Sequence, residues 1–158
     1  MMRKVIAVIV GMFVLSGCAP RSYVGVPEGT PPEEYARIVT ASSIIQPPII
    51  GMLYSIGIIC VDGELFRGSA GEVTTISEAV VSKGVHHVRL RFGRGAGAMP
   101  IASTTLWLDA QPGHTYVANF EVNRRQFRIW LEDKDSGEQV GGRIGSEPYL
   151  VADDKRCE

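Results

Sequence analysis

The feature that most limits how this chain can fold is a side-chain period of two that recurs from about Tyr54 to Gly142. Tyr54, Ile56, Ile58 and Cys60 share one face of an extended chain, and Ile59 and Val61 are apolar on the other, which predicts a central strand. Val88, Leu90 and Phe92 alternate with His87, Arg89 and Arg91. The same rhythm runs through Leu106, Leu108 and Ala110, through Tyr116, Ala118, Phe120 and Val122, and through Phe127, Ile129 and Leu131. A period of two places successive side chains on opposite faces of a strand and leaves no stripe for a helix to bury. Turn signals separate the runs: Asp62-Gly63, Ser82-Lys83-Gly84, the Gly93–Gly97 loop, Gln111-Pro112-Gly113, Asn123-Arg124 and Asp135-Ser136-Gly137. Glu64-Leu65-Phe66 and Glu138–Gly142 read as short returning strands, and Glu72–Ser77 as a short alternating one. This spacing predicts an all-β fold, a single antiparallel β-sandwich of about seven strands.

The amino-terminal part reads differently. Met1-Met2-Arg3-Lys4 is basic, and an apolar run of about 11 residues from Val5 to Leu15 follows. That run is shorter than the roughly 20 residues a helix needs to cross a bilayer, and small residues follow it, as in an export signal. Leu15-Ser16-Gly17-Cys18 closely resembles the lipobox of bacterial lipoproteins. The resemblance implies cleavage between Gly17 and Cys18, a diacylglycerol on the Cys18 sulfur and acylation of the new amino group. Two or more acyl chains suffice for stable anchoring without a membrane-spanning helix. Ala19 follows, not the aspartate that commonly retains such proteins at the inner membrane. The family rule then implies the inner leaflet of the outer membrane, on the periplasmic side, with the lipoprotein maturation and sorting machinery as partners.

The expected organisation is a signal peptide at 1–17, a lipidated cysteine and flexible tether at 18–34, a β-sandwich at 35–152 and a charged tail at 153–158. The tether, rich in Pro, Gly and Ser to about Pro32, would span roughly 20 Å as a coil. Thr30-Pro31-Pro32-Glu33 has the residues of a capped helical turn. The stretch Tyr35–Ile45 reads as a strand after it, and Gln46-Pro47-Pro48 breaks it. Near the carboxyl end, Tyr149-Leu150-Val151 reads as an edge strand or a recruited tail.

Composition narrows the function classes. Removal of Arg3 and Lys4 leaves 14 basic and 17 acidic residues, a charge near −3. This offers no electrostatic case for nucleic acid. With Cys18 lipidated, Cys60 and Cys157 remain in an oxidising compartment. They either pair, closing a loop whose entropy is worth roughly 4–5 kcal/mol, or stay as a buried thiol and a dangling one.

Val61-Asp62-Gly63, Gly84-Val85-His86, Pro112-Gly113-His114-Thr115-Tyr116 and Asp135-Ser136-Gly137 resemble the turn phrases of a group of small envelope lipoproteins, whose domains are similar to transthyretin-like and PEGA-type sandwiches. The resemblance covers about residues 54–140. It departs at Lys83-Gly84, where the group has Pro-Gly. It implies a binding or structural role.

The residue types of chemistry are present but not grouped. His86 and His87 are strand neighbours that point to opposite faces, and His114 lies far along the chain without an acidic ligand spacing, so no metal site is expected. No Gly-x-Ser-x-Gly elbow is present, and Cys60 lies in an apolar strand. Gly93-Arg94-Gly95-Ala96-Gly97 lacks the Gly-Lys-Ser/Thr of a phosphate loop. Trp107 and Trp130 fall on polar strand faces. They read either as a cross-strand aromatic pair shielding a sheet, or as an exposed patch that docks a partner. The expectation is a non-enzymatic, cofactor-free binding, scaffolding or accessory module with an envelope protein partner. The alternatives are a pilot-like subunit of a larger envelope or secretion assembly, and a periplasmic hydrolase or small-ligand-binding protein.

Overall fold

The computed structural model describes residues 22–41, 44–46, 52–94, 99–123 and 126–149. The lipobox with Gly17 and Cys18, the centre of the Gly93–Gly97 loop, Arg124, Leu150, Val151 and the tail with Cys157 lie outside the described residues.

The described chain is all-β, as its period of two predicts, and it forms two sheets. The strands are β1 (Ser22–Val24), β2 (Ala36–Thr40), β3 (Ile44–Gln46), β4 (Met52–Val61), β5 (Glu64–Leu65), β6 (Glu78–Val81), β7 (Gly84–Arg94), β8 (Met99–Ala110), β9 (Thr115–Asn123), β10 (Gln126–Asp133), β11 (Gln139–Val140) and β12 (Gly142–Tyr149). The first sheet has the order β1-β6-β2-β9-β10-β11. The second has the order β12-β8-β7-β4-β3, with β5 also paired to β4.

Alternate residues of both sheets enter one core. Ala36, Ile38, Ala79, Val81, Tyr116, Ala118, Phe120 and Leu131 come from the first sheet. Ile56, Ile58, Val61, Val88, Leu90, Phe92, Leu106, Leu108 and Ala110 come from the second. Phe92 joins them: its ring stacks on Tyr54 at 5.4 Å within its own sheet and meets Phe120 of the other sheet at 5.0 Å. Such contacts add to the burial of large rings, which is the main favourable term for a fold of this kind.

Several expectations are corrected. The described residues hold twelve strands, not about seven, and the sheets are not wholly antiparallel. β1 runs parallel to β6, and β2 runs parallel to β9. Parallel neighbours need a long connection, and between β2 and β9 the chain crosses to the other sheet and back. Ser22–Val24, read as tether, is an edge strand. The stretch read as one strand from Tyr35 to Ile45 is divided between β2 and β3, which lie in different sheets. Glu72–Ser77 is not a strand; it makes only the single bridges Arg67↔Val73 and Ile58↔Ile76, and the strand begins at Glu78. Gly93 and Arg94 belong to β7 rather than to a loop. Pro32–Glu34 is a 3-10 turn, but Thr30 does not cap it, because its hydroxyl donates to the Pro27 carbonyl at 2.7 Å.

Cys60 is also displaced from its expected face. A bulge between Ile58 and Cys60 shifts the β4–β7 register, so Ile58 opposes Leu90 while Val61 opposes Val88. An extra residue in one strand reverses the side-chain phase beyond it. Val61 therefore joins the shared core, and Cys60 is buried outside that cluster, one residue from the strand end.

Candidate functional site

The polar side chains that carry chemistry gather at one end of the two-sheet body. β4 and β10 end there, β7 and β9 begin there, and their turns carry the histidines and carboxylates.

Asp62 and Gly63 form the β4–β5 hairpin turn with φ of 47° and 87°. Both are left-handed, a conformation that Gly accepts freely and Asp tolerates better than most residues. The Asp62 carboxylate reaches across to β7. One oxygen lies 2.6 Å from His86 Nδ1, and the other accepts the His87 backbone N–H at 2.8 Å. The Asp62 N–H donates to the His87 carbonyl at 2.9 Å. The second ring nitrogen of His86 lies 2.8 Å from the Ser82 carbonyl. His86 is therefore a buried fastener between two turns, while His87 points outward and is exposed.

The second cluster joins the β8–β9 and β10–β11 turns. His114 Nδ1 lies 2.6 Å from Asp133 Oδ2. Asp133 Oδ1 accepts the backbone N–H groups of Asp135 and Ser136 at 2.9 and 3.0 Å. The His114 hydrogen bond, followed by that from Ser136, holds the Asp133 carboxyl below its ordinary value of 3.8 despite burial. Tyr116 is buried beside it, its ring 6.1 Å from that of His114. Its hydroxyl accepts the Gln111 N–H at 2.9 Å, and burial raises its pKa. The 3-10 turn is tied to this end as well, since Gly113 N–H donates to the Tyr35 carbonyl at 2.8 Å.

The turn phrases of the sequence are thus explained as locks. Val61-Asp62-Gly63 grips His86, and Pro112-Gly113-His114-Thr115-Tyr116 is held to Asp133 and Gln111. A carboxylate held by a histidine and by backbone N–H groups has its lone pairs occupied by the fold. Among the described residues no group of three His, Cys, Asp or Glu is placed to hold a metal ion. Sequence reasoning treated the histidines singly and missed Asp62 and Asp133 as their partners. The signal was an Asp at each turn, but the pairings join residues 24 and 19 apart.

The tryptophans are separated. Trp107 lies on β8 of the second sheet and is 40% exposed. Its indole covers Gly142 of β12: a Cβ added there would stand 2.6 Å from Nε1. Val85, also exposed, sits diagonally beside it across the β7–β8 ladder. Trp130 lies on β10 of the first sheet and is half-buried, with the Arg128 guanidinium 5.1 Å from its ring centroid. Its Nε1 donates to Glu132, which also accepts from Asn119, each at 3.3 Å. Residues flanking each tryptophan enter the core, so the two rings lie on the outer faces of different sheets. They form neither a cross-strand pair nor one joint patch.

Because Asp133 is depressed in the folded state, its contribution is present above 3.8 and is lost as pH falls through the lower folded value. We expect the stability of the protein to fall along this acid limb, and Asp133→Asn to flatten it, in urea titrations followed by circular dichroism at stepped pH. An unchanged acid limb in the variant would assign the acid sensitivity to other carboxylates.

No protein-family model, curated protein or solved structure matches this chain.

Proposed function

We propose that this protein is a lipid-anchored lipoprotein of the bacterial outer membrane, facing the periplasm, whose β-domain acts as a non-catalytic binding or accessory module of the envelope. The observation that carries the reading is Leu15-Ser16-Gly17-Cys18, followed within four residues by the first strand of the domain. No helix among the described residues is long and apolar enough to cross a membrane. In this reading Cys18 supplies the attachment.

The histidines and their carboxylates support a structural rather than a catalytic role, since they fasten turns to strands. The surface offered to an envelope partner is the exposed Trp107–Val85 pair on the second sheet. Tryptophan combines a large apolar area with few rotatable bonds and is favoured at interaction hot spots. Trp130 is a weaker candidate, because its ring and its N–H are already occupied.

The proposal includes a disulfide between Cys60 and Cys157. Cys60 is 1% exposed, has an interaction partner and lies one residue from the end of β4.

Cys18→Ala should abolish incorporation of labelled fatty acid and release the protein from the membrane fraction; continued labelling would refute the anchor. Trp107→Ala should weaken crosslinking to a native envelope partner while costing less than about 1 kcal/mol of stability, as is usual for a surface position. A large fall in melting temperature would instead make Trp107 structural. For the disulfide, we expect the mature protein to migrate faster on non-reducing than on reducing gels. Equal mobility with two thiols titratable after denaturation would refute the pair.

A further inference from the structure

The geometry points to a fixed orientation at the lipid surface: the edge of the first sheet formed by β1 and β6 lies nearest the bilayer, and the β10–β11 edge lies farthest from it. This inference rests on the lipid anchor at Cys18.

The argument is one of reach. Ser22 opens β1, four positions after Cys18. An extended chain advances about 3.3–3.6 Å per residue, so the two Cα atoms are at most ~14 Å apart. β1 is fastened in place: Ser22, Tyr23 and Val24 pair with Glu78, Ala79 and Val80, and Gly25 N–H donates to the Val80 carbonyl at 2.8 Å. The Tyr23 ring meets Phe66 at 5.2 Å. The leash is therefore much shorter than a tether running to Pro32 would be.

β11 stands five strand positions from β1, and β10 stands four. At a spacing of about 4.8 Å these are ~24 and ~19 Å. If the β11 edge met the bilayer, Ser22 would be farther from the lipid than its chain to Cys18 can stretch. The charges argue against the sheet lying flat. Glu78, Glu121 and Glu132 alternate with core residues and so share its outer face with Arg37, which pairs with Glu78 at 3.1 Å, and with Arg128, and pressing that face onto the headgroups would strip water from five charges. At the β1 edge, Val24 is apolar and 60% exposed.

The native tryptophans make the test direct. Lipidated full-length protein is reconstituted in phosphatidylcholine–phosphatidylglycerol vesicles containing a lipid with a dansyl headgroup, and energy transfer from tryptophan to dansyl is measured. One sample keeps only Trp130, through Trp107→Phe. A second carries Val24→Trp with both native tryptophans changed to Phe, and a third uses Ser22→Trp in case the first substitution disturbs β1. We expect transfer from positions 24 and 22 to be several-fold stronger than from Trp130. Equal or stronger transfer from Trp130, in protein that carries lipid on Cys18 by mass and floats with the vesicles, overturns the orientation. Absence of lipid on Cys18 overturns the anchor itself.

Discussion

Phe92 lies between Tyr54 of its own sheet and Phe120 of the other, and around these rings the inner faces of the two sheets share their apolar side chains. Neither sheet could remain folded alone in water. Each has a face made of Val, Ile, Leu, Phe and Ala that only the opposite sheet covers. The outer faces are free to be polar because the inner ones are not, which is why strands such as β9 and β10 alternate, whereas β4 is buried on both faces from Ile58 to Val61. Burial of this face sets the register of each ladder, since a slip of one residue would turn the core outwards.

The same requirement accounts for the two aspartates. Strands must reverse at the end of the core, and reversal brings backbone N–H groups and histidine rings to a partly buried edge. Asp62 and Asp133 satisfy these donors, each binding a histidine and at least one backbone N–H. A short polar side chain at a turn can also accept positive φ, as Asp62 does. Residues that a search for chemistry would single out are thus engaged in closing the end of the fold. The exposed Trp107, spread over Gly142, takes no part in these turn clusters.

Much of this was legible in the chain. The runs at Val88–Phe92, Leu106–Ala110, Tyr116–Val122 and Phe127–Leu131 all lie in strands, and Asp62-Gly63 makes the hairpin that its residue types demand. The opposite directions of His86 and His87 followed from strand geometry alone. The short or weakly patterned elements were not legible. β1 has three residues, β6 has four, and β12 carries two glycines and a proline, so none has a periodicity long enough to read. The bulge at Cys60 was hidden for another reason: two apolar residues in succession look the same whether the strand is buried on both faces or kinked.

The amino-acid order was therefore enough for the all-β class, for the turns and for most of the core, because these depend on neighbours within a few residues. It also carries the whole case for the proposed anchor at Cys18. What only the tertiary structure decided depends on residues far apart in the chain. This includes the parallel pairing of β1 with β6, the grip of Asp62 on His86 and of Asp133 on His114, and the separation of Trp107 from Trp130. A local pattern records which face a side chain takes, but not which sheet its strand will join. That choice is made by the apolar surface that remains to be covered once the whole chain has collapsed.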